Sequence, residues 1–164
     1  MTDALQGRAV IDGSGAGRVM RLDHAVSFWG EVDPFTARLT NPREARRGES
    51  IAGRVLVLPE LRGSSSGSAI MLELLARGIA PAALVLGRID AIIGLGILVG
   101  REMGYPVIPL VELDAAQQAT LAEGTWVRVE PGALDTELLA GYIRESHRLI
   151  AAKLTRKLRA ELGL

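Results

Sequence analysis

A short apolar strand that runs into a serine-rich loop and then a helix, residues 55–78, constrains the fold more than any other stretch. The run Val55–Leu58 is rich in branched side chains and is bounded by Pro59, a pattern that is typical of a buried strand. An arginine followed by glycines and serines fills residues 62–68. Apolar residues then recur four apart until Gly78, so we expect a helix that ends at this glycine.

This order of elements predicts an anion-binding site. Backbone N–H groups and serine hydroxyls would meet at a helix N-terminus beside the guanidinium of Arg62, and such an arrangement binds a carboxylate or a phosphate. Serine and glycine are also the ordinary residues of helix caps and loops, which is the competing interpretation. The loop is not a P-loop, because no lysine followed by serine or threonine closes it.

Further apolar runs at 82–86, 107–111 and 125–129 predict three more strands. Between the first two of these runs, Asp90 is placed to cap a helix that extends towards Met103. The alternation of strands and helices argues for an α/β fold with a parallel sheet and right-handed crossovers. The helix after Asp90 also carries glycines that allow close packing against a neighbouring backbone: Gly94, Gly96 and Gly100.

Near the N-terminus, two short β-type runs at 8–12 and 18–22 flank the glycine-rich segment Gly13–Gly17. The glycines resemble a dinucleotide fingerprint, but strand character follows them and no helix opens there, which argues against a nucleotide cofactor. We therefore predict a glycine-rich hairpin, which joins antiparallel N-terminal strands to the parallel sheet.

Two loops between this segment and the central strand have alternative interpretations. In residues 27–34, Trp29 is either the core residue of a packed turn or is presented with Asp33 to a ligand or partner. The arginine-rich loop at 43–49 is interpreted as a solvated charged loop.

From residue 135 the apolar residues recur at helical spacing to near the end of the chain, which predicts one long amphipathic C-terminal helix. Its polar side is basic, and this face is either solvated or docks a partner. We therefore expect residues 1–133 to form the domain, with the helix at 134–164 either in the same globular unit or used for partner docking.

Charge and cysteine content exclude several classes of function. Nineteen basic and nineteen acidic residues cancel, so nothing in the net charge indicates nucleic acid or an anionic membrane as a partner. The chain has no cysteine and two histidines that are far apart, so we expect it to hold no metal or iron–sulfur cluster alone. We expect a cytoplasmic protein, because no signal peptide or spanning apolar segment is recognisable.

Several motifs together resemble a known family, in matching order and spacing over about residues 5–132. The matching elements are the glycine-rich start at 13–17, the stretch at 27–34, the loop at 62–68, the helix exit at 78–81 and Asp90–Ile93 leading to Glu102. On these motifs the chain resembles the small subunit, or swivel domain, of the aconitase X family. The resemblance implies an aconitase-type swivelling β/β/α domain. The known activities of the family are dehydration of cis-3-hydroxy-L-proline and, in archaeal relatives, dehydration of mevalonate 5-phosphate.

The resemblance also implies how the work is divided between two chains. A large subunit would hold an iron–sulfur cluster, and this chain, a hydro-lyase subunit active only with that partner, would swing over it. The position matching the family's catalytic serine is Ser64, with Ser65 as the alternative. Arg62, Gly63, Ser65 and Ser66 would then bind the carboxylate of a small substrate.

Three positions depart from the family pattern. Glu31 and Leu61 stand where the family has glycine, and Asn41-Pro42 replaces a His-Pro pair. A glycine-only backbone conformation would not tolerate the first two changes. Competing hypotheses are the small subunit of a mevalonate 5-phosphate dehydratase and a non-catalytic, anion-binding regulatory module that docks through the C-terminal helix. Nucleic-acid binding through the basic helix is disfavoured, because no aromatic residues are interleaved with the charges.

Overall fold

A mixed β-sheet is the centre of the fold in a computed structural model of the protein, which describes residues 4–63 and 65–131. Its strands are β1 (Arg8–Ile11), β2 (Gly15–Arg21), β3 (Val55–Leu58), β4 (Ala83–Leu86), β5 (Leu110–Glu112) and β6 (Trp126–Val129). The helices are α1 (Phe28–Glu31), α2 (Gly67–Ala76), α3 (Ala91–Glu102) and α4 (Ala115–Thr120). The amphipathic helix predicted for residues 134–164 lies outside the described part of the chain.

The strand order is β1-β5-β4-β3-β2-β6. The four central strands are parallel, with Val55 of β3 opposite Ala83 of β4, and the edge strands β1 and β6 run antiparallel to their neighbours. The helices α2 and α3 are the crossovers between β3, β4 and β5. The predicted α/β fold with a parallel sheet and antiparallel N-terminal part is therefore confirmed.

The predicted glycine-rich hairpin is wrong. The strands β1 and β2 do not pair with each other, because β5, β4 and β3 lie between them. The glycines allow neighbouring backbones to approach closely and do not form a turn. A Cβ at Gly15 would overlap the carbonyl oxygen of Ala82, and a Cβ at Gly17 would overlap the carbonyl oxygen of Gly53. The strand β1 finds its partner in β5, where Arg8 pairs with Glu112 at 3.0 Å.

The central strand β3 is buried on both faces of the sheet. Leu56 and Leu58 belong to an apolar cluster that includes Met71 of α2, whereas Val55 and Val57 belong to a second cluster. Side chains alternate between the faces of a strand, so one four-residue run supplies both clusters. This double burial explains why the strand has an uninterrupted apolar sequence.

The termini of the other elements differ slightly from the prediction. The strand predicted at 107–111 is β5, which starts only at Leu110, because Pro109 lacks the N–H group that a strand interior needs. Asp90 caps α3 as predicted, since its side chain accepts a hydrogen bond from the Ile93 amide at 2.8 Å. The short helix α4 was not predicted, although Asp114 and Gln117 form a capping box at its start.

The arginine-rich loop at 43–49 is not simply solvated. Arg46 lies half-buried, with its guanidinium 2.7 Å from Glu123 and 3.5 Å from Glu49. Glu44 is 7% exposed and lies 2.7 Å from Nε2 of His24. Two residues of this loop therefore tie it to the rest of the domain, and Arg46 is not available for an external ligand.

The pair Arg46–Glu123 gives a pH-dependent contribution to stability. Burial acts to raise the pKa of Glu123, but hydrogen bonds from the Arg46 side chain and the Arg21 amide outweigh it, so this pKa lies below its usual value. The same hydrogen bond raises the pKa of Arg46. Because the pKa of Glu123 is depressed in the folded state, the stabilisation is present above the unfolded pKa and is lost as pH falls through the folded one.

We expect Glu123→Gln to lower the free energy of unfolding by about 1 kcal/mol at pH 7, a small value because the Glu123 side chain is 46% exposed. The deficit should be smaller at pH 3 than at pH 7, because the wild-type carboxyl group becomes protonated as pH falls through the depressed pKa of Glu123. Urea unfolding at both pH values measures it. The matched control is Glu130→Gln, which breaks a looser pair with Arg128, and an equal deficit at both pH values would contradict the assignment.

Candidate active site at the serine loop

The loop that connects β3 to α2 lies at the carboxyl end of a parallel strand, where open α/β sheets bind their ligands. Of its predicted site residues, Arg62, Gly63 and Ser65 are exposed and Ser66 is partly buried. Ser64, the predicted base, lies outside the described residues. The structure therefore brings the four predicted substrate-binding residues together beside the start of α2.

The residues just before Ser64 make several contacts with the segment around Val26 and Ser27. The Arg62 amide donates to the Val26 carbonyl at 3.0 Å, and Leu61 forms a parallel bridge with the same residue. Gly63 has φ +112°, and a Cβ there would lie 2.6 Å from Oγ of Ser27. A glycine is thus required directly before Ser64.

Neither departure from the family glycines strains the backbone. Among the described residues other than glycine, positive φ occurs at Ala37, so Glu31 and Leu61 both have ordinary conformations. Leu61 packs partly buried against the apolar core. Neither position therefore requires glycine.

Two observations characterise the N-terminus of α2. The side chain of Ser66, the N-cap residue, makes no capping hydrogen bond, and the Ser68 hydroxyl donates instead to the Ser65 carbonyl at 2.8 Å. Because the first-turn N–H groups of a helix lack intrahelical partners, an anion can bind there.

Helix α3 fixes the start of α2 through one glycine. A Cβ at Gly96 would lie 2.5 Å from the carbonyl oxygen of Ser68 and 3.0 Å from its Cα. The backbones of the two helices therefore approach closely just after the serine loop, as predicted, but only at Gly96, since Gly94 and Gly100 face side chains. A shallow depression between the loop and α3 is lined in part by Gly63, Gly67 and Asp90.

Arg62 belongs to a polar network that the sequence alone did not predict. Its guanidinium lies 2.5 Å from Oε1 of Glu31, which also accepts from the Asn41 side chain at 2.8 Å. The other oxygen of Glu31 accepts from the Ser27 amide at 2.6 Å. Glu31 and Asn41, two of the three positions that differ from the family pattern, thus contact each other. Because both positions differ together, the sequence contained a signal that could have indicated this contact.

A cavity of about 440 Å³ lies beside this network. It is lined by His24, Glu31, Asn41, Pro42, Arg43 and Arg62. The volume is at the lower end of the range of about 300–1,000 Å³ that small-molecule sites occupy. Arg62, at the start of the serine loop, therefore borders a space that can accommodate a small polar ligand.

Trp29 is not a core residue. Its side chain is 57% exposed, whereas the preceding Phe28 is 2% exposed and packs in the core. Asp33 accepts hydrogen bonds from the amides of Phe35 and Thr36, so its carboxylate stabilises its own turn. The interpretation of Trp29 as the core of a turn is wrong, and Phe28 has that role.

Within residues 4–63 and 65–131, no group of three or more histidine, aspartate or glutamate side chains is placed to hold a metal ion. In the same part of the chain, no helix has the length and apolar character to cross a membrane.

Comparison with known proteins gives consistent matches. The family profile of the aconitase X swivel domain matches residues 4–137. A cis-3-hydroxy-L-proline dehydratase of Hypocrea jecorina is 34% identical over 80% of this chain, and the match spans only 22% of that relative's length. A phosphomevalonate dehydratase small subunit of Thermococcus kodakarensis is 33% identical over 82% of this chain and 96% of its own length.

A solved structure, Thermococcus kodakaraensis aconitase X in its holo-form, superimposes with a TM-score of 0.67 and 33% identity. The superposition covers 76% of this chain and 89% of that chain. The chain spans about a fifth of the length of the cis-3-hydroxy-L-proline dehydratases that it matches, one of them from Pseudomonas aeruginosa.

Proposed function

Because this chain belongs to the aconitase X swivel domain family, we propose that it is the small subunit of a two-chain hydro-lyase that dehydrates a small hydroxy acid. The observation that carries the proposal is the serine loop itself. It places Arg62, Gly63, Ser65 and Ser66 next to the start of α2, and Arg62 also lines a cavity of substrate size. Such a site suits a substrate carboxylate.

The iron–sulfur cluster of the complex is assigned to the large subunit. The residues of this chain do not fit a cluster, since the sequence contains no cysteine to supply a thiolate ligand. This chain therefore contributes through its own side chains, and the large subunit would assist the departure of hydroxide.

Dehydration requires removal of a proton from the carbon next to the carboxylate. We assign this step to the hydroxyl oxygen of Ser64. A serine hydroxyl is a weak acid, so its alkoxide needs positive charge and N–H donors nearby. Arg62 and the start of α2 supply both, and Gly63, Ser65 and Ser66 complete the contacts to the carboxylate.

The loop at 43–49 does not bring a cluster of basic side chains to the cavity, because Arg43 is its one arginine among the cavity-lining residues. A phosphate would need a further basic cluster beyond the carboxylate site. Arg46 cannot contribute to one, because it pairs with Glu123 and Glu49. We therefore propose cis-3-hydroxy-L-proline, or a closely related small hydroxy acid, as the substrate.

We expect the complex of this chain with its large subunit to have a kcat/KM for cis-3-hydroxy-L-proline at least about tenfold above that for mevalonate 5-phosphate, a difference of about 1.4 kcal/mol. The two chains are co-expressed, the cluster is rebuilt anaerobically, and both compounds are assayed. This chain alone is the control and should be folded, colourless and inactive.

Turnover of mevalonate 5-phosphate alone would show that the chain is the small subunit of a phosphomevalonate dehydratase instead. Turnover of neither compound, combined with binding of small carboxylates, would favour the anion-binding regulatory module. Dehydratase activity and colour in this chain without a partner would overturn the two-chain proposal.

A further inference from the structure

The cavity beside Arg62 has a wall residue that the proposed carboxylate site does not use. His24, in the segment between β2 and α1, lines this cavity together with Arg62. Half of its side chain is exposed, so the imidazole is accessible to a ligand and to solvent. Imidazole gains and loses a proton near neutral pH, and histidine is the most frequent acid or base of active sites.

A buried carboxylate holds this imidazole by one of its two nitrogens. Nε2 of His24 lies 2.7 Å from Oε2 of Glu44, whose side chain is only 4% exposed. The other oxygen of Glu44 accepts from the Arg46 amide at 3.0 Å, so the carboxylate is itself fixed. Because an ionised carboxylate can only accept, this contact places the proton of a neutral imidazole on Nε2. Nδ1 has no hydrogen-bond partner among the residues that the structure describes.

The pair of His24 and Glu44 has the form of an oriented acid–base group. A carboxylate behind an imidazole fixes the tautomer and the ring orientation, and it stabilises the imidazolium ion that forms when the free nitrogen takes up a proton. Arg62 lines the same cavity. A substrate whose carboxylate is held by Arg62 therefore brings its neighbouring carbon atoms into the space that His24 also borders.

We infer that His24 is a second proton-transfer residue of the dehydration, and that Glu44 positions it. The inference rests on the proposed function, in which Ser64 removes the proton next to the carboxylate. The electron pair of that C–H bond forms the new double bond, and the C–O bond breaks with its pair on oxygen. The imidazolium of His24 gives its Nδ1 proton to this oxygen, so water leaves. Ser64 then releases its proton to solvent and His24 regains one from solvent, which leaves the loss of one water molecule as the net reaction.

Two substitutions of His24 separate proton transfer from packing in the complex with the large subunit. His24→Gln keeps an amide that can donate to Glu44 but cannot transfer a proton. Its kcat for cis-3-hydroxy-L-proline should fall about 10²-fold or more, whereas its KM and its urea unfolding curve should stay near those of the wild type. His24→Ala should lose a similar factor in kcat and leaves space for a small molecule.

Added imidazole should raise kcat of the His24→Ala complex at least about tenfold. Pyrazole has the same size but is a far weaker base, so it should not restore the rate. The wild-type complex, assayed with each additive, corrects for inhibition. Equal rescue by the two compounds would overturn the inference, because they would then only fill space.

Glu44→Gln tests the positioning role. The Arg46 amide retains the oxygen of the new side chain, so its NH₂ group faces His24 and donates to Nε2, which moves the imidazole proton to Nδ1. We expect kcat to fall at least about tenfold, without rescue by imidazole. Glu49→Gln is the matched control and should leave kcat unchanged, because Glu49 lies in the same loop, 3.5 Å from Arg46, but does not line the cavity.

Nitrogen NMR of this chain alone gives a readout that is independent of turnover. The His24 signals, identified by their loss in His24→Gln, should show a protonated Nε2 and an unprotonated Nδ1 in the neutral imidazole, and the opposite tautomer in Glu44→Gln. The opposite tautomer in the wild-type chain would overturn the inference.

The dehydratase assay distinguishes this inference from the proposed function. If the tautomer is as expected but the complex does not dehydrate cis-3-hydroxy-L-proline, the proposed function fails and the oriented imidazole stands. If the compound is dehydrated and His24→Gln has a kcat near that of the wild type, the proposed function stands and the role of His24 fails.

Discussion

Replacing Ser64 by alanine is expected to lower kcat of the reconstituted complex by about 10²- to 10⁴-fold, the range for loss of a positioned acid or base. The loss should fall on kcat more than on KM, because in the proposed site Arg62 and the start of α2 would still bind the carboxylate. The fold should survive, since even loss of a helix-capping serine costs only about 0.5–2 kcal/mol. Steady-state kinetics with cis-3-hydroxy-L-proline and a thermal unfolding curve measure both effects.

Ser65→Ala is the matched control for this change. Ser65 contacts Ser68 through its backbone carbonyl, which the substitution leaves in place, so the loop should keep its shape. We expect a smaller loss of activity that is seen mainly in KM. Near-normal turnover in Ser64→Ala, with a large kcat loss in Ser65→Ala, would show that the base is the next residue along the loop.

The second large effect is expected at a distance from the loop, in Gly96→Ala. The added Cβ would lie 2.5 Å from the Ser68 carbonyl oxygen, and a backbone atom cannot rotate away as a side chain can. Helix α3 must therefore push the start of α2. Overpacking of this kind costs about 1–3 kcal/mol, and a displacement of about 1 Å at the reacting groups can cost about 10²-fold in rate.

Gly94→Ala separates this packing effect from the general preference of helices for alanine. It lies in the same helix, but its added Cβ would be 3.5 Å from a Leu110 methyl group, an ordinary contact. We expect Gly94→Ala to keep full activity and to gain up to about 1 kcal/mol of stability. If Gly96→Ala gives the same gain in urea unfolding and the same kcat as Gly94→Ala, the close approach does not position the loop.

Sequence reasoning predicted the elements whose signals are local. The strand β3 and the helix α3 follow from a short apolar run and from Asp90 with the helical pattern after it. The predicted binding residues Arg62, Gly63, Ser65 and Ser66 lie close together because they are neighbours in the sequence. These features depend on contacts within a few residues, where spacing and composition carry the information.

The features that could not be predicted depend on distant residues. The pairing of β1 with β5 joins residues about a hundred positions apart, so the glycines at 13–17 suggested a hairpin instead. Arg46 meets Glu123 across 77 positions, and nothing in either local sequence indicates it. The Glu31–Asn41–Arg62 network likewise forms only where three separate segments meet. The sequence showed only that positions 31 and 41 differ from the family pattern.

The sheet order has a consequence for how the chain reaches this structure. The segment from β3 to β5 contains only neighbouring crossovers and can form early, whereas β2 receives its outer partner β6 only after Trp126–Val129 is available. Pairings between distant segments slow folding, and an open strand edge recruits strands of other chains. Aggregation during synthesis should therefore begin at Gly15–Arg18, in a species that already has its serine loop but not yet its last strand.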